Sequence, residues 1–170
     1  MVQIHLGARF LEPAEVMATK LDEQYMREAL KEAERALASR EKPVGAVIVH
    51  RSHIVARAHH QMRTLRDPTA HATIIAITQA ANTLQSDQLT DAVLYATQEP
   101  CCMCIGAVLL SGVSRLVVGA DDVKQGACGS AVDIPGNERL NRRLSVTKGV
   151  LRPECLTILR KAVATPRVSG

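Results

Sequence analysis

Three cysteines crowd one short stretch, Pro100-Cys101-Cys102-Met103-Cys104. A Cys-x-x-Cys step that follows a strand-like run and opens a helix-like one lets two thiolates share a metal, which is half of a tetrahedral zinc shell. Taken alone, the step equally fits buried free cysteines or a redox dithiol. Upstream, Asp67-Pro68-Thr69-Ala70-His71-Ala72-Thr73 sets a turn-forming pair and a threonine before an apolar run, so His71 falls in the first turn of a predicted helix. By itself His71 reads as an ordinary structural histidine. With Pro-Cys-x-x-Cys about one helix and one strand further on, it reads as the third ligand. Three protein ligands leave one coordination position to water, the arrangement of a catalytic zinc rather than a structural one. The expected cofactor is one zinc ion per chain on His71, Cys101 and Cys104.

The elements that must position these residues follow from periodicity. Asp22 is expected to cap a helix with Tyr25, Met26, Ala29, Leu30, Ala33, Ala36 and Leu37 on its apolar face and Glu28, Lys31, Glu32 and Arg35 outside. Pro43 breaks that pattern. Val44–Val49 then reads as a buried strand, with Ile54–Ala58 as its hairpin partner. A loop to Pro68, a helix from His71 to about Leu84, a strand over Val93–Ala96 and a helix from Cys101 to about Leu110, ended by Gly112, come next. Arg115–Val118 predicts a strand parallel to the preceding one, since a helix connects the two. The long polar segment Asp121–Asn141 is of a length that is usually functional or partly helical. Ser145–Thr147 predicts a last short strand, and Pro153 suits the first turn of a closing helix through Ala162. Alternating helices and strands predict a three-layer α/β domain over residues 21–164, preceded by an extension over 1–20 and followed by a tail over 165–170.

The chain has 170 residues, long enough for one domain with a substantial core. One Phe, two Tyr and no Trp make that core aliphatic and exclude a nucleic-acid contact built on a row of stacking rings. The net charge of +4 is uneven: up to Pro135 there are thirteen Lys/Arg against fifteen Asp/Glu, and from Gly136 on there are eight against two. The basic C-terminal segment suggests a footprint for phosphates, or else a solvated helix face with a basic tail. Five cysteines, two of them adjacent, do not make a disulfide framework and point to a reducing cytoplasm. No apolar run approaches bilayer length, so no membrane partner is expected.

Pro-Val-Gly-Ala at Pro43–Ala46, Asp-Pro-Thr-Ala-His-Ala at Asp67–Ala72, Glu-Pro-Cys-x-Met-Cys at Glu99–Cys104 and Lys-x-Gly-Ala-x-Gly-Ser at Lys124–Ser130 carry a family likeness. From about Leu21 to the last helix the chain resembles the bacterial tRNA-specific adenosine deaminases of the cytidine deaminase superfamily. The resemblance implies a three-layer α/β/α sandwich around a mixed five-stranded sheet, with zinc on His71, Cys101 and Cys104. It implies a flipped adenine bound by Val44, His60, Ala72 and Pro100. RNA contacts would come from Lys124, Arg139, Arg142 and Arg143. It also implies a dimer through the helices beside the metal, either with itself or with a related active chain.

Two departures stand out. The family's acid/base glutamate, two residues after the histidine, is Thr73 here, and a threonine hydroxyl orients water but accepts no proton near neutral pH. His60 aligns with an asparagine that usually holds the substrate, and is either a substitute proton relay or a residue of a site that no longer does chemistry. The functions implied are hydrolytic adenosine-to-inosine conversion at the tRNA wobble base, weakened or lost through Thr73; a catalytically silent RNA-binding or partner subunit; or deamination of guanine or another small heterocycle.

Overall fold

The first helix, α1 (Lys20–Ala38), begins at a capping box whose N-cap is Thr19. The Thr19 hydroxyl accepts from the Asp22 amide at 3.1 Å, and the Asp22 carboxylate accepts from the Thr19 amide at 2.9 Å. Asp22 is thus the third helical residue rather than the cap itself. Its carboxylate also turns inward, accepting from the Tyr95 hydroxyl at 3.0 Å and from two Arg115 nitrogens at 3.0 and 2.9 Å. The face expected to be apolar is the buried one, but Glu32, expected outside, is buried too. It pairs with Arg35 at 2.8 Å and with the His59 ring at 3.1 Å, which compensates for its burial.

The computed structural model describes residues 18–140, 142 and 144–163. Arg143, nearly all of the N-terminal extension and the 165–170 tail lie outside the described residues. After α1 come β1 (Gly45–His50), β2 (His53–His59), α2 (Ala72–Leu84), β3 (Ala92–Gln98), α3 (Cys102–Ser111), β4 (Arg115–Ala120), β5 (Ser145–Thr147) and α4 (Arg152–Val163). Every predicted element is present, with ends that match or differ by at most three residues. The 121–140 stretch forms no helix; it is fastened instead by bridges pairing Cys101 with Gly126 and Cys128 with Asp133.

The five strands form one sheet in the order β2-β1-β3-β4-β5. β1 runs antiparallel to β2 and β3, whereas β4 is parallel to β3 and β5, so the sheet is mixed. Side chains alternate across it. Ala46, Ile48, Leu94, Ala96, Leu116 and Val118 face the core shared with α2 and α3. Val47, Val49, Tyr95 and Val117 face the core shared with α1 and α4. That is the three-layer α/β/α sandwich. Gly45 lets the layers meet: a Cβ there would lie 2.0 Å from the Ala29 carbonyl oxygen, so β1 approaches α1 backbone to backbone. Among the described residues, no helix is long and apolar enough to cross a membrane.

Candidate metal centre

Both helices on one face of the sheet start at the same place. His71 is the N-cap of α2 and Cys101 the N-cap of α3, each in extended conformation and neither making a side-chain capping bond. Cys104 sits in the first turn of α3 and is buried. The His71 Nδ1 lies 3.6 Å from Cys101 Sγ and 3.5 Å from Cys104 Sγ, and the three ligand atoms fall within 4.8 Å of one another. Zinc bonds of about 2.0 Å to nitrogen and about 2.3 Å to sulfur, meeting at a tetrahedral angle, require a nitrogen–sulfur separation of about 3.6 Å. The donor set and its spacing therefore fit zinc. The helix starts add to this, because their positive dipole ends favour thiolates.

The sulfurs behave as a pair. Hydrogen bonds from Cys104 and from the His71 ring pull the Cys101 thiol down to about 3. Cys104 is pushed up, first by its bond to Cys101 and then by burial, while the Thr73 hydroxyl pulls the other way. Two sulfurs sharing a proton in this manner are two thiolates when a divalent cation takes that proton's place.

His60 stacks on His71, ring centroids 4.6 Å apart and planes at 23°. Its Nδ1 accepts from the Ala72 amide at 3.1 Å, and its own amide donates to the Val44 carbonyl at 3.0 Å. Burial, followed by the neighbouring His71, Lys42 and His59, lowers the ring's pKa to about 3. A neutral ring with Nδ1 engaged carries its proton on Nε2, so His60 offers a donor and no free base. This favours a binding role over the proton relay. Ala72 also spends its amide on His60 and has no N–H left for a substrate. Thr73, on the first turn of α2, is buried. Among the described residues, no Asp or Glu carboxylate joins the His71, Cys101 and Cys104 cluster.

The remaining candidates are spread more widely. Val44 and Pro100 are both buried: Pro100 directly precedes Cys101, and the Val44 carbonyl accepts from the amide of His60, whose ring stacks on His71. Lys124 is exposed on the loop after β4, where its amide donates to Asp122. Arg139 and Arg142 line a groove of about 640 Å³ beside Gly106, Leu109 and Leu110 of α3. Arg142 donates to the Leu109 carbonyl at 2.7 Å and so closes the C-terminal end of α3 rather than projecting freely toward a ligand.

Sequence reasoning gave no role to Glu99, which precedes Pro100 and is buried. Burial works against its charge, but the Ser130 hydroxyl, the amides of Asp122 and Cys128, and Lys148 hold its carboxyl below the usual range. The available signal was its place in Glu-Pro-Cys-x-Met-Cys, directly after β3 and two residues before Cys101.

A mixed five-stranded α/β/α sandwich with one histidine and two cysteines converging at two helix starts defines a zinc-binding deaminase domain. The family model for the cytidine and deoxycytidylate deaminase zinc-binding region matches residues 19–120, and the chain belongs to this family. It is 45% identical over 134 residues to a tRNA-specific adenosine deaminase of Bacillus subtilis, covering 79% of this chain and 83% of that protein. A tRNA-specific adenosine deaminase of Haemophilus influenzae is 44% identical over 138 residues, covering 81% and 80%. Among solved structures, one from a study of A-to-I editing by tRNA deaminases at the wobble position of transfer RNA superposes with a TM-score of 0.77 at 37% identity, over 79% of this chain and 98% of that one. A guanine deaminase from Nitrosomonas europaea gives a TM-score of 0.73 at 26% identity, over 96% and 97%.

Proposed function

We propose that this chain binds the anticodon arm of a tRNA in the cytoplasm and that its chemistry is hydrolytic deamination of adenosine to inosine at the wobble base, slowed by Thr73. The observation that carries this reading is the metal centre built from His71, Cys101 and Cys104 in a chain 45% identical to a tRNA-specific adenosine deaminase. His71, Cys101 and Cys104 would hold a zinc ion, which when bound would supply an activated water for the hydrolysis. The chain's own residues do the rest: Val44 and Pro100 flank the base, and His60 donates from Nε2 to an acceptor on the purine. Lys124, Arg139 and Arg143 meet phosphates, and Arg142 contributes positive charge while it closes α3. Unpaired loop bases suit such a site because no duplex has to be melted.

Thr73 supplies a hydroxyl that orients water without taking its proton. Loss of one general acid/base costs about 10²- to 10⁴-fold. The test is inosine formation in an anticodon-arm RNA with zinc present, for the chain and for Thr73→Glu. The reversion is expected to raise turnover at least about 10²-fold. Failure of either protein to bind the RNA at low salt overturns the reading. Conversion of guanine by Thr73→Glu, with the RNA untouched, assigns the site to a free base instead.

The same threonine favours a second reading, a silent RNA-binding subunit that pairs with an active relative. The exposed Met103 and Leu110 on α3 supply an apolar face for a dimer, either homotypic or with that relative. RNA binding without turnover even in Thr73→Glu, together with a dimer in solution, supports it.

A further inference from the structure

The Lys124–Ser130 motif winds around one side chain. Glu99 Oε1 accepts from the Cys128 amide at 2.8 Å and the Ser130 amide at 3.2 Å. Oε2 accepts from the Asp122 amide at 3.1 Å and from the Ser130 hydroxyl. Lys148, just beyond β5, places its ammonium 3.6 Å from Oε2 and donates to the Cys128 carbonyl at 3.3 Å. Three backbone N–H groups converging on one carboxylate make a concave anion site whose anion is the protein's own. Gly126 is required by it: a Cβ at that position would lie 2.5 Å from the Glu99 carboxylate.

The same loop touches the metal-ligand segment directly. The Ala127 amide donates to the Pro100 carbonyl at 2.9 Å, and Gly126 pairs with Cys101 as an antiparallel bridge. Glu99 is two residues from Cys101 along the chain, and its carboxylate reaches back to the loop that braces Cys101 from outside. The segment is therefore closed on itself through one side chain.

We propose that Glu99 is a positioning residue that couples the 122–130 loop to the Cys101 ligand, so that loop order and metal binding support each other. The coupling is reciprocal: whatever loosens the loop weakens the metal, and the metal protects the loop. Glu99→Gln keeps the shape but changes the hydrogen-bonding pattern. Its amide nitrogen must face either the Asp122 amide or the Cys128 and Ser130 amides, and at least one N–H loses its acceptor.

The test uses the full chain loaded with zinc. Zinc affinity is measured by competition with a chelator, the cobalt-substituted absorption spectrum reports ligand geometry, and amide hydrogen exchange is followed along the chain. In Glu99→Gln we expect affinity to fall about 10-fold, the size typical of a partner just outside the ligands. The cobalt bands are expected to shift, and exchange to speed up at Cys128 and Ser130 but not in α1. Ser130→Ala removes one hydroxyl and keeps the fold; it is expected to move both affinity and loop exchange in the same direction by less. Unchanged zinc affinity with a loosened loop, or an unchanged loop with weakened zinc, overturns the coupling, as does no change in either. None of these readouts depends on RNA, so this inference can fail while the proposed function stands, and the reverse.

Discussion

Two of the almost fully enclosed carboxylates of this protein, Asp22 at 1% exposure and Glu99 at 4%, are held below the ordinary carboxylate range although burial pushes each the other way. Their partners differ in kind. Asp22, on α1, is served mainly by side chains from strands, Tyr95 of β3 and Arg115 of β4, with Thr147 of β5 accepting from Arg115 in turn at 3.0 Å. Glu99 is served mainly by backbone amides of a single loop. A carboxylate that joins the side chains of several elements fastens a fold; one that gathers a loop beside a ligand shapes a site. On this division the Asp22 network bears on stability, and the neighbourhood of Glu99 on the geometry of the Cys101 ligand.

The sharpest separation is in metal content. Cys104→Ser is expected to take zinc from one per chain to none, measured by elemental analysis after dialysis, while Arg115→Met leaves it at one. If Arg115→Met also empties the site, the division between the two networks is wrong. In denaturant titrations Arg115→Met is expected to cost about 3 kcal/mol, because it strands the buried Asp22 charge.

That cost carries a pH signature. The folded Asp22 carboxyl lies below its ordinary value of 3.8, despite burial, because Arg115, the Thr19 amide and Tyr95 favour its charged form. Its contribution is complete above the unfolded value and is lost as pH falls through the folded one. The stability gap between the parent chain and Arg115→Met should be flat above about pH 5 and shrink below about pH 4. A gap that widens in acid contradicts the assignment. The smallest effect is Tyr95→Phe, which removes one hydroxyl of the same network and is expected to cost about 1 kcal/mol with zinc affinity unchanged.

Much of the architecture was legible in the chain. Val47 and Val49 alternate with Ala46 and Ile48 as a strand between two cores must, and the three-four spacing from Tyr25 to Ala36 marked the buried face of α1. Glu32 was misread because helical spacing says which face a residue is on, whereas its partner His59 comes from a strand 27 positions away. Thr19 was missed for a simpler reason: Asp22 is itself a good capping residue, and only the reciprocal bonds show which of the two is the cap.

The amino-acid order by itself determined the ligand types and the helix starts that carry them, since these are matters of residue chemistry and separations within one helical turn. Tertiary structure alone decided that His71 meets two sulfurs 30 and 33 positions later, that Ala72 gives its amide to His60, and that Glu99 anchors the 122–130 loop. Such pairings depend on strand order and register, which bring together groups that are distant in the chain, and the cost of burying an unpaired charge or amide then fixes which of them must bond.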